Sequence, residues 1–170
     1  IHPLGQLLGE GYEPEMFYAV EPSIQMYIAE KSEALRELYV SSYSYAATAN
    51  YIHQMATDKL VELFGAAHPQ YTRQDFYELE LATSGMVRSF MARKCDRNFT
   101  MEQKLRRFLS CSMTIYGVAE EKQQQVIDRV LEMDLKSVAD QLVADAIHQA
   151  DEQYQEAGST PGPGRYTKIQ

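Results

Sequence analysis

Residues Tyr71 to Gly117 read YTRQDFYELELATSGMVRSFMARKCDRNFTMEQKLRRFLSCSMTIYG, and two long helices joined by a short polar connection account for the pattern. The first spans Arg73 to about Arg93. Thr72 is placed to cap it, with Asp75 at the third helical position. At 100° per residue Phe76, Leu79, Thr83, Met86, Val87 and Phe90 share one face. The small residues Ala82, Gly85, Ser89 and Ala92 share roughly the opposite one. Gly85 costs about 1 kcal/mol of helix stability relative to Ala, so a close approach at that stripe would give it a use. The second helix opens with the capping box Thr100-Met101-Glu102-Gln103. It carries Met101, Leu105, Phe108, Leu109, Ser112, Ile115 and Tyr116 on one face and ends at Gly117, a natural position for left-handed backbone. A helix pair with two usable faces needs partners on both sides, so it is expected to organise the chain. It is either the centre of a monomeric bundle or a dimerisation surface, and periodicity leaves both open.

Upstream, Ile1 to Gly11 holds Pro3, Gly5, Gly9 and Gly11 and reads as the frayed end of an entering helix. Glu13-Pro14-Glu15 starts a helix with apolar positions Met16, Val20, Ile24, Tyr27 and Ile28, which Pro22 should kink or restart. Ser32 opens another that continues to Tyr43. A further helix runs from Tyr45 to Phe64, closed by Gly65. Downstream of Gly117, Ala119 to Met133 turns Val126, Val130 and Met133 inward. Asp134 then caps a last helix from Leu135 to about Gln155, with Leu135, Val138, Ala139, Leu142 and Ala146 on one face. No alternating strand pattern occurs. The expected fold is all-α, a bundle of about seven or eight helices over residues 1–155, followed by a Gly/Pro-rich tail over 156–170.

The chain of 170 residues is one domain by length, with 45% hydrophobic and 24% charged residues. Its net charge of −8 argues against direct nucleic-acid binding. One basic run interrupts the acidity: Arg88, Arg93, Lys94, Arg97, Lys104, Arg106 and Arg107, against Asp96 and Glu102. The simpler reading of that run is a solvated turn and helix faces. Cys95 and Cys111 have neither disulfide-framework nor zinc-site spacing and suit a reducing compartment. No membrane-spanning run or signal peptide is present, so a cytoplasmic protein with no membrane partner is expected. The start at Ile1 rather than Met suggests a piece of a longer protein.

Catalytic patterns are missing around His2, His53, His68 and His148. Asp145 and His148 share a helix face, but a helical di-iron site needs two such motifs and two further carboxylates, so no metal and no cofactor are expected. The 12 tyrosines are more suggestive. Tyr18, Tyr27, Tyr39, Tyr43, Tyr45, Tyr51 and Tyr77, with Met16, Phe17, Met26, Met55 and Phe76, could line an apolar cavity edged by hydroxyls. Ordinary core and rim is the plainer account of the same residues.

The succession Ser32-Glu33-Ala34-Leu35-Arg36-Glu37-Leu38, the helix ending Phe64-Gly65, the run Phe76 to Phe90, and Asp96 to Phe99 leading into Thr100-Met101-Glu102 resembles the C-terminal regulatory domain of TetR-family bacterial transcriptional regulators. The resemblance covers roughly Glu13 to Gly117. It implies an effector-binding domain that forms a homodimer through a two-helix hairpin, here Arg73–Arg93 and Met101–Tyr116, with Gly85 as the small residue in mid-helix. DNA would be bound only through an N-terminal helix-turn-helix domain preceding Ile1. The helices from Ala119 to Gln155 lie beyond the family's minimal set. On this reading the chain is not an enzyme. The small-molecule effector, largely apolar, is expected among Tyr27, Tyr39, Tyr43, His53, Met55 and Tyr77. The subunit contact is expected at Ala82, Gly85, Met86, Ser89, Leu109, Ser112, Met113 and Tyr116. A free-standing all-α interaction module is the competing expectation, and a helical metalloenzyme a third.

Overall fold

The computed structural model describes Leu8 and residues 11–158, with side chains as far as Gln155. Seven helices are found among them: α1 (Pro14–Lys31), α2 (Glu33–Ser42), α3 (Ala46–Phe64), α4 (Arg73–Ala92), α5 (Met101–Ile115), α6 (Glu120–Glu132) and α7 (Leu135–Gly158). The fold is all-α, as the periodicities require. Residues 156–158, read from the sequence as the start of the tail, belong to α7. The frayed segment expected at the N-terminus, apart from Leu8 and Gly11, and the rest of the tail lie outside the described residues.

Local chemistry sets the helix ends. Thr72 and Asp75 form a reciprocal capping box on α4, with Asp75 N–H donating to Thr72 Oγ1 at 3.3 Å and Thr72 N–H donating to Asp75 Oδ2 at 2.6 Å. Thr100 and Gln103 do the same for α5. Such caps contribute about 1 kcal/mol each. Asp134 accepts from Ser137 N–H at 3.1 Å at the head of α7. Gly117 has φ +70°, the left-handed turn expected after α5, whereas Gly65 stays in the right-handed region at φ −59° and is no left-handed stop.

The organising element is α1, not the α4–α5 pair. It touches each of the other six helices. Met16, Phe17, Ala19, Val20, Ile24, Met26, Ile28 and Ala29 are all buried and cover most of its circumference, leaving a half-exposed strip of Tyr18, Glu21 and Gln25. A helix apolar over most of its circumference must be enclosed by its neighbours. Pro22 neither stops nor splits it. Pro22 cannot donate to the Tyr18 carbonyl, but packing against the six neighbouring helices holds the helix together across the lost bond.

This arrangement corrects half of the expected subunit contact. Leu109, Ser112, Met113 and Tyr116 are buried within this one chain, because the face of α5 they occupy is already covered by α1, α4 and α6. Met86 is half-buried against the same core. Ala82, Gly85 and Ser89 do lie exposed on the outer face of α4, with open space around Gly85.

Buried charge ties the α4–α5 connection to the end of α1. Lys104, fully buried on α5, donates from Nζ to Glu30 Oε1 at 2.9 Å and to the carbonyl of Arg93. Cys95 N–H donates to the same Glu30 oxygen at 2.9 Å. Arg36 of α2 adds a contact to Glu30 at 3.6 Å and bonds Glu33 at 2.5 Å. Burial alone would raise the Glu30 pKa, but the Lys104 hydrogen bond and charge and the Cys95 amide outweigh it, leaving the carboxyl below its ordinary value.

Candidate functional site

A second carboxylate between helices, Glu80, is buried and has a different setting. On α3 the inward residues are His53, Thr57, Leu60 and Phe64, at i, i+4, i+7 and i+11, so the imidazole sits on the apolar seam. On α4, Glu80 falls between Phe76 and Thr83 on the inward face. The two meet with His53 Nδ1 2.7 Å from Glu80 Oε2, and the Glu80 side chain is only 5% exposed. Thr57 Oγ1 donates to the His53 carbonyl at 2.7 Å, fixing that turn of α3.

Tyrosines surround the pair. The Tyr43 and Tyr77 rings lie 6.2 and 6.4 Å from the imidazole. Burial pushes the Tyr43 hydroxyl up to about 12, with the charges of Glu80, Glu21 and Tyr39 adding to it. Behind them Tyr116 shares a 2.7 Å hydrogen bond with Thr83 and stacks on Phe64, with centroids 5.1 Å apart. Tyr18 packs edge-on against both rings and turns its hydroxyl toward Ser112 and Thr83. Burial raises the Tyr18 and Tyr116 pKa values as well, so the Tyr18, Tyr43 and Tyr116 hydroxyls stay protonated and neutral.

Glu80 itself is pushed above its ordinary value by burial, with the His53 charge and hydrogen bond partly offsetting the effect. The geometry suits binding and proton exchange. A carboxylate in apolar surroundings, held by an imidazole that is charged only when protonated, can accept a donor or a cation in place of that imidazole.

Of the residues expected at an effector site, the structure gathers Tyr43, His53 and Tyr77, with Tyr39 close enough to Tyr43 to add to its shift. Tyr27 belongs elsewhere, near Asp134 and Cys95. Met55 is 55% exposed on the outer side of α3 and is corrected out of the set. Its position, two residues from His53, turns it about 200° round the helix. Glu80, Thr83 and Tyr116 were missed as site residues, and Tyr18 figured only among the tyrosines that could line a cavity. Glu80 carries a sequence signal, a charged residue at an inward position of an otherwise apolar stripe.

An open groove of about 700 Å³ lies between α2 and the end of α4, walled by Leu38, Val40 and Ala92, with Arg36, Ser41 and Ser44 also lining it. None of its lining residues belongs to the His53–Glu80 cluster. His148 pairs along its own helix with Glu152 at 3.5 Å. No described helix is long and apolar enough to cross a membrane. No protein-family model, curated protein or solved structure matches the chain.

Proposed function

We propose that the chain is the effector-binding and dimerising domain of a TetR-like bacterial transcriptional regulator, a cytoplasmic repressor whose DNA contact belongs to a helix-turn-helix domain outside these residues. The observation that carries the reading is the His53–Glu80 pair, which joins α3 to α4 in the interior beside Tyr43 and Tyr77. A buried ion pair adds little net stability over an apolar substitute, so its presence calls for another use. Here that use is to be exchanged. A small, largely apolar effector with one polar group displaces His53 from Glu80 and spreads its body over the tyrosine faces.

The consequence runs through α4. Its inner face carries Glu80, and its outer face carries the exposed Ala82, Gly85 and Ser89. A ligand that resets Glu80 therefore acts on the helix whose outer side meets the partner subunit. Operator half-sites recur about 34–36 Å apart, so a change in dimer geometry weakens DNA binding. The effector drives it only through unequal affinity for the two dimer states, typically 1–3 kcal/mol of coupling.

A thermal-shift screen with small apolar and cationic compounds tests the reading. A true effector at 100 times its Kd adds about 2.7 kcal/mol of stability to the wild type, and His53→Ala or Glu80→Gln alters that shift. Silence across the library favours the free-standing interaction module, a reading that draws on the exposed Tyr51 and Met55, one turn apart on the outside of α3. Separately, Gly85→Arg should yield monomers in sedimentation velocity. A dimer of unchanged strength removes the α4 assignment.

A further inference from the structure

Helix α7 leaves the body of the protein partway along its length. Asp134 lies near the Tyr27 hydroxyl and Asp140 pairs with Lys31, so α7 runs beside the C-terminal half of α1 in the same direction. Leu135 and Ala139 are buried, and Leu142 and Val143 pack against the core. Every residue from Ala144 to Gln155 is exposed. At 1.5 Å per residue this arm is about 18 Å long. Val143, Ile147, Ala150 and Tyr154 recur along it at i, i+4, i+7 and i+11, with Ile147 58% and Tyr154 84% exposed. An apolar helical face in water calls for a cover. The arm also carries Asp145, Asp151 and Glu152, and no Lys or Arg follows Lys136 within the described helix. Arm-to-arm pairing would set these like charges together.

Opposite charge lies at the same end of the molecule. Glu30, at the end of α1, binds Lys104 and the Cys95 amide, which places the α4–α5 turn where α7 departs. That turn presents Arg93, Lys94 and Arg97. Arg93 is engaged by Asp96 at 2.6 Å, whereas the Lys94 and Arg97 side chains have no ion-pair partner among the described residues. A continuous helix pointing away from the body cannot bend back onto its own turn without breaking.

We propose that the α7 arm docks on the α4–α5 turn of a second copy of this chain, with Asp151, which flanks the apolar face of the arm, against Lys94 and Arg97 and with Ile147 and Tyr154 covered in the same contact. In a two-fold pair each subunit gives an arm and receives one. The inference is independent of the effector reading.

Charge exchange between two variants tests it. One is Asp151→Lys, the other Lys94→Glu/Arg97→Glu; all three positions are exposed, and circular dichroism checks the fold. In sedimentation equilibrium at low salt, each variant alone should self-associate roughly tenfold more weakly than the wild type. An equimolar mixture should recover wild-type affinity, because each arm then meets a turn of opposite charge on the other chain. Unchanged self-association of either variant overturns the proposal, as does a mixture no tighter than its parts, which would mean that the contact is made within one chain. Gly85→Arg reads the α4 outer face instead, so failure of one interface is not mistaken for failure of the other.

Discussion

Glu30, part-buried, and Glu80, buried, are both carboxylates placed between helices, yet their surroundings give them opposite properties. Glu30 has a permanent cation in Lys104, a second in Arg36, and a backbone amide, and its pKa is lowered. Glu80 has one histidine and a wall of aromatic rings, and its pKa is raised. The first carboxylate has all it needs from its own chain and acts as a fixed latch holding α1, α2 and the α4–α5 turn together. The second is held by a partner whose charge is conditional, and it can exchange that partner. The same residue type is a fixed tie at one end of the fold and open to exchange in the middle, and what decides is whether the counter-charge is permanent.

Removing the latch should have the largest effect. Lys104→Met leaves the part-buried Glu30 with only Arg36, at 3.6 Å, for a counter-charge, and should cost about 3 kcal/mol in denaturant unfolding, lowering Tm by roughly 10 °C. A loss as small as that of an exposed lysine would break the contrast. His53→Ala should cost less, about 1–2 kcal/mol, as Glu80 loses its hydrogen-bond partner. It should still alter any effector response in the thermal-shift screen, which Lys104→Met should leave in place.

The pH dependence sharpens the comparison further, because the two signs oppose. Glu30 contributes stability that is present above the ordinary carboxyl value of 4.5 and is lost as pH falls through its depressed pKa. Glu80, raised above the same 4.5, binds its proton more tightly in the folded state, so stability is lost as pH rises through its elevated pKa. Relative to Glu30→Gln, the wild type should therefore lose its advantage toward acid. Relative to Glu80→Gln, it should gain as pH falls from neutrality. Unfolding curves of the two variants across pH check both signs. The smallest effect belongs to Tyr116→Phe, which removes the hydroxyl shared with Thr83 at 2.7 Å and should cost about 1 kcal/mol without changing either pH profile.

Much of the fold was legible in the chain because helix ends announce themselves chemically. Thr72 with Asp75, Thr100 with Gln103, Asp134 and Gly117 all act as their residue types demand. The central place of α1 was hidden for a physical reason. Reading apolar periodicity finds helices with one broad wet side, and α1 keeps only the narrow, half-exposed strip of Tyr18, Glu21 and Gln25, so its pattern looked like a stripe blurred by Pro22. The exposed small residues of α4 and the apolar face of α5 looked like parts of one surface, because neither periodicity says which helix covers which face. At the candidate site, aromatic composition pointed to Tyr43, His53 and Tyr77. It could not reveal Glu80, nor Lys104 at the latch, because a charged side chain in a periodic pattern reads as solvent-facing until its counter-charge is located on another helix.

The most direct test of the latch-and-exchange account is a carboxyl-carbon NMR titration that follows Glu30 and Glu80 in the same sample, assigned with Glu30→Gln and Glu80→Gln. The account predicts that Glu80 titrates above the ordinary 4.5 and Glu30 below it. Two coincident titrations, or Glu30 titrating above Glu80, would contradict it.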